Sequence, residues 1–120
     1  MTGRERLPDD ALVVRCGKPP FSNPKPLSER CARHPEGVYG FSVQSAANVT
    51  IETLAQHCRN RHIGVTTVGA IRKLGYEVHP TSGQGRHATV EVPMEWGSEA
   101  AEELGRLFRD ETNPAGGQGA

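Results

Sequence analysis

The chain has 120 residues, a size that fits one small domain; hydrophobic residues make up 35%, so the core must be thin. Lys plus Arg and Asp plus Glu are both 14, and the formal net charge of +0 excludes a globally basic nucleic-acid binder and an acidic solvating chain. No stretch approaches the ~18 apolar residues of a membrane span, and residues 1–10 lack the apolar centre of a signal peptide, which argues against membrane insertion and against secretion by that route.

Residues 1–10 read as a flexible amino end. Residues 11–14, Ala-Leu-Val-Val, are a continuous apolar run that reads as a buried strand ending at Arg15. Residues 17–26 hold four prolines, which excludes helix and central strand and leaves an extended loop carrying Phe21. Residues 28–33 suggest a helical turn or two, and residues 34–37 a tight turn. Residues 38–44 alternate as a second strand, with Tyr39, Phe41 and Val43 on one face and Val38, Gly40 and Ser42 on the other.

Thr50 caps a predicted helix running to about Asn60, with Ile51, Leu54, Ala55 and Cys58 as its apolar stripe. A second helix starts at Thr66 or Thr67, buries Val68, Ile71 and Leu74, and meets Gly75 at its carboxyl end. Residues 76–78 read as a strand and residues 81–86 as a turn. Residues 87–93 alternate again, with Ala88, Val90 and Val92 inward and His87, Thr89 and Glu91 outward. Ser98 opens a last helix with the stripe Ala100, Ala101, Leu104, Leu107 and Phe108. The tail, residues 111–120, reads as disordered. The expected architecture is α+β, a small mixed sheet packed by about three helices, in one domain over residues 11–110.

Cys16, Cys31 and Cys58 are odd in number and form no CxxC pair, which reads as three reduced thiols in a cytoplasmic protein. Cys31 with His34, and Cys58 with His62, have a spacing that zinc tolerates. Both stretches also read as ordinary helix surface, so no metal is assigned. The neutral total hides a dipole. Residues 57–87 carry five Lys or Arg and one acid, and residues 91–111 carry seven acids against Arg106 and Arg109. The basic half reads as a solvated face or as a local anion site.

There is no Walker A loop and no Gly-x-Ser-x-Gly elbow. His87 and Glu91 share one strand face, ~13 Å apart along it, so both could line one cleft, and an imidazole is a natural acid or base near neutral pH. Arg15 ends an apolar strand, where a planar guanidinium can clamp phosphate. Ser42 and Ser45 flank Val43-Gln44 just before a helix, where small hydroxyls position a ligand or cap the chain's entry to the helix.

Together these positions resemble a minimal ADP-ribosyltransferase fold of the bacterial toxin kind. Val-Val-Arg15-Cys-Gly resembles that family's first motif, Gly-Phe-Ser42-Val-Gln-Ser45-Ala its second, and Ala-Thr-Val-Glu91-Val-Pro its third. The resemblance implies that Arg15 holds the phosphates or ribose of NAD, that Ser42 braces the nicotinamide-ribose pocket with Ser45 beside it, and that Glu91 favours an oxocarbenium-like transition state. It implies NAD as substrate, ADP-ribose transfer or hydrolysis, a protein or RNA acceptor, and an antitoxin or immunity protein as partner. The chain departs from the family with Ser-Val-Gln-Ser in place of Ser-Thr-Ser, and with Thr89 where many members carry Glu or Gln that selects the acceptor.

A second, local resemblance runs from Ala70-Ile-Arg-Lys-Leu-Gly-Tyr76 to Gly85-Arg-His87, which is similar to HicA-type mRNA interferase toxins. It implies RNA cleavage by His87, with Arg72, Lys73 and Arg86 meeting phosphates. A third reading is a non-enzymatic binding module whose acidic last helix docks on a basic partner.

Overall fold

A computed structural model of the chain describes residues 6–21, 27–34, 37–81 and 86–114. It is an α+β fold, as the patterning predicts, and all of its strand pairings are antiparallel. The strands are β1 (Leu12–Cys16), β2 (Ala32–Arg33), β3 (Tyr39–Ala46), β4 (His62–Thr67), β5 (Glu77–Pro80), β6 (His87–Glu91) and β7 (Arg109–Thr112). They order as β5-β6-β3-β1-β4-β7, with β2 alongside the start of β3. Among the described residues three helices join them: α1 (Ile51–Leu54), α2 (Val68–Lys73) and α3 (Ser98–Gly105).

β1 is buried on both sides because it lies near the middle of the sheet. Val13 and Val14 point to opposite faces, and neither is exposed. On one face Val13, Phe41, Val43 and Val90 join Ile71 of α2 and Leu104 of α3 in the main core. On the other, Val14, Ile63 and Val65 are covered by Leu54, Ala55 and Cys58 in a smaller cluster. The Thr67 side chain accepts from the Ala70 N–H and caps α2, a contact worth about 1 kcal/mol. Gly75, at φ 96°, then turns the chain into β5.

Several expectations are corrected. The helix predicted from Thr50 to Asn60 is regular only to Leu54, because Cys58 is tied to β1 and the carbonyls of Cys58 and Asn60 accept from the Asn113 side chain instead of continuing a helix. The segment after the predicted helix is β4, next to the central strand. Its Gly64 lets Phe21 and Phe108 press against the sheet, since a Cβ there would stand 2.5 Å from the Phe21 ring. Residues 27–30 form one 3-10 turn, and Ala32–Arg33 is strand. Gly97, not Ser98, is the N-cap of α3, and the helix stops at Gly105, before Leu107 and Phe108.

The packed unit also reaches past the predicted limits. Leu7, in the predicted flexible end, is buried, and the last two residues of β7 and buried Asn113 lie in the predicted disordered tail. Residues 1–5, 22–26, 35–36, 82–85 and 115–120, which carry parts of the predicted end, loops, turns and tail, lie outside the described residues.

Candidate functional site

The pairing of β1 with β3 ends at Val14↔Gln44. Just beyond, the Arg15 guanidinium reaches across and Nη1 donates to the Ser42 carbonyl at 2.6 Å. It lies over two aromatic rings, 5.5 Å from the centre of Phe21 and 5.2 Å from that of Phe41. Such stacking helps to hold a cation in an apolar setting. Its Nε is buried and has no hydrogen-bond partner among the described residues. No ion pair to Arg15 forms among the described residues. Burial, and then the charge of Arg30, push the guanidinium down to about 10, against an opposing pull from Cys31. Arg15, Ser42 and Gln44 line a crevice of about 230 Å³ where the two strands part.

Ser45 plays a different part. It is buried, and its hydroxyl donates to the Leu12 carbonyl at 2.7 Å, which pins β3 to β1. It sits opposite Val13, so it braces the sheet and does not line the crevice.

The other sheet face carries the second group. Ser42 pairs with Thr89, Gln44 with His87, and Gly40 with Glu91, so these positions share one side. His87 Nδ1 lies 2.5 Å from Thr81 Oγ1, and Thr89 donates to that same oxygen at 3.4 Å. The His34 ring is centred 5.9 Å from that of His87, and its Nε2 lies 3.3 Å from the Gly40 carbonyl. Glu91 is half-exposed and pairs with His79 at 2.7 Å.

The structure therefore joins Arg15 to Ser42 and places His87 and Glu91 on a common face. It does not gather Arg15 with Glu91. Arg15 stacks on Phe41, whose neighbour across the sheet is Val90, while Glu91 projects to the opposite side with Gly40. Of the cations assigned to phosphate, Arg72 is held by Asp9 and Glu77. Sequence reasoning missed Thr81, and it weighed His34 only as a zinc ligand. The period-2 pattern of β5 extended to Thr81 places His79 and Thr81 together, but the β5–β6 register is needed to set them beside His87.

Cys16 and Cys58 form a disulfide, which corrects the expectation of three reduced thiols and removes the cysteine argument for a cytoplasmic location. Burial pushes the remaining thiol, Cys31, up to about 11, against the pull of Arg15. His62 is held by Asp110 at 2.9 Å. Among the described residues no group of three His, Cys, Asp or Glu is placed to hold a metal, and no helix is long and apolar enough to cross a membrane.

No family model matches this chain, and no curated protein or solved structure matches it either.

Proposed function

We propose that the domain binds an NAD-type dinucleotide, with one phosphate held by Arg15 in the crevice between β1 and β3. The observation that carries this reading is the buried Arg15 Nε, an unsatisfied donor on a cation with no carboxylate partner among the described residues. A buried polar group without a partner costs about 1–3 kcal/mol, and more when charged. A phosphate oxygen supplies both the missing acceptor and the missing charge. With Nη1 spent on Ser42, Nε and Nη2 form the remaining edge of the planar group, and an oxyanion reaches the buried Nε where the side chains around the crevice part.

This is a binding function first. ADP-ribosyl transfer calls for a carboxylate beside the nicotinamide ribose, and Glu91 stands on the far face of the sheet, so transfer by Glu91 requires the ligand to reach around β3. The reading carries with it a cytoplasmic location and an antitoxin or immunity protein that covers the crevice. The Cys16–Cys58 disulfide weighs against that location.

Titration calorimetry with NAD and ADP-ribose tests it. Saturable binding is expected, weakened at least ~10-fold in Arg15→Met. No heat at millimolar NAD with folded protein ends the proposal.

A further inference from the structure

We propose that two copies of this chain pair through their β7 edges, antiparallel and centred on Asp110, to form a dimer with one continuous sheet. The inference is independent of NAD binding, because it uses the backbone of an outer strand and not the crevice.

The sheet path ends in β5 on one side and β7 on the other, and the backbone decides which of these edges is open. Along an antiparallel strand, successive residues turn their N–H and C=O groups to opposite sides. In β5 the Thr81 N–H donates to the His87 carbonyl, so Glu77, His79 and Thr81 bond towards β6, while Val78 and Pro80 face outward. The Val78 N–H is taken by Oε1 of Glu77 at 2.9 Å, and a proline has no N–H. That edge offers no free donor. In β7 the Asn113 N–H donates to the Arg61 carbonyl, so Arg109, Glu111 and Asn113 bond towards β4, while Asp110 and Thr112 face outward. Among the described residues nothing bonds to the main chain of Asp110 or Thr112 on that side. Arg109, Asp110 and Thr112 are all exposed.

Charged edge strands commonly deter pairing. Here the order of the charges matches the edge to its own copy turned end for end. With Asp110 opposite Asp110 of the second copy, Arg109 stands opposite the second copy's Glu111, and Glu111 opposite its Arg109, all on one face of the joined sheet. Within one chain Arg109 Nη2 already lies 2.9 Å from Glu111 Oε2, so the joined strands carry a square of alternating charge. A slip of two residues sets Glu111 against Glu111 and forfeits that match. The two Asp110 carboxylates share the other face, and each has Nδ1 of its own chain's His62 at 2.9 Å as a partner.

Such a two-fold pairing closes on itself. Both β7 edges are consumed, and the outer edges that remain are the two β5 strands, which have no outward donor to extend the sheet. The strands are short and the contact is small, so the dimer is weak and reversible. Its charge pairs are exposed, so salt loosens it.

The test is analytical ultracentrifugation of the full chain from ~10 μM to ~1 mM. A reversible rise in mass from one chain to two is expected, moving to higher concentration as salt is added; this arm stands even if a variant fails to fold. Asp110→Pro removes an outward N–H and none of the bonds to β4, and it should raise the dissociation constant at least ~10-fold. Arg109→Glu and Glu111→Arg should each do the same. An equal mixture of those two folded variants should dimerise again, because every cross-strand pair is then opposite in sign. A single chain throughout the range, assembly beyond two, undiminished pairing in Asp110→Pro, or a mixture that stays monomeric would each overturn pairing through β7.

Discussion

Cys16 at the end of β1 is bonded through sulfur to Cys58 beyond α1, across 42 positions of sequence. Closing a loop of that length removes chain entropy from the unfolded state worth about 4 kcal/mol at 25 °C in the loop-closure account. Cys58 also belongs to the small core that covers Val14 and Val65. Denatured, unreduced protein should therefore show one reactive thiol, Cys31, and three after reduction. Reduction should lower the urea midpoint markedly. Three thiols without reductant would contradict the bond.

Gly40 lies where β3, β2 and β6 meet. A Cβ built there would stand 1.8 Å from the Val90 carbonyl oxygen, a backbone atom that cannot rotate away. Gly40→Ala must therefore part β3 from β6. The expected loss is about 3 kcal/mol or more, read by chemical denaturation. A near-neutral Gly40→Ala would show that this stretch of the pairing is wrong.

Arg15→Met separates a structural guanidinium from a ligand-binding one. Methionine fills similar apolar space between Phe21 and Phe41 without a buried charge. Replacing buried charge by apolar volume is often neutral or stabilising. The lost bond to Ser42 and the lost ring contacts offset part of that gain. The melting temperature of Arg15→Met without ligand should therefore match or exceed that of the unaltered protein. A drop equivalent to more than about 2 kcal/mol would mark Arg15 as a structural bridge.

Glu77 ties the amino end to α2. Burial alone raises its carboxyl, but bonds from the Val78 N–H, Arg72 and Arg6 outweigh this and hold it below the ordinary range. A carboxyl lowered in the folded state contributes stability that is complete above its unfolded value of about 4.3. That contribution is lost as pH falls through the lower folded value. Glu77→Gln should cost about 0.5–1 kcal/mol at neutral pH after solvent screening, and should flatten the fall in stability between about pH 6 and pH 3. An acid limb identical in the two proteins would remove Glu77 from the acid response.

Local pattern determined much of this protein. Alternation in residues 38–44 and 87–93 assigns Phe41, Val43, Ala88 and Val90 to the core, because a strand has only two sides and apolar side chains take the dry one. Thr67 and Gly75 mark both ends of α2, since capping and positive φ act within a few residues. Thr89 shows the limit of that logic. Its side is the outward one, yet it has no exposure, because neighbours on other strands close over it.

β4 and β7 were not legible. β4 mixes His, Gly and Thr with two apolar residues, and β7 reads Arg-Asp-Glu-Thr; each is a strand because a neighbouring strand supplies its hydrogen bonds. The sequence names Arg15, Ser42, His87 and Glu91 as chemically able groups. Only the sheet decides that Arg15 meets Ser42, that the His34 and His87 rings lie near each other, and that Glu91 lies on the face away from Arg15. Residue type and period set which side of its own strand a side chain takes, while register and strand order, fixed by contacts far apart in sequence, set what it meets there.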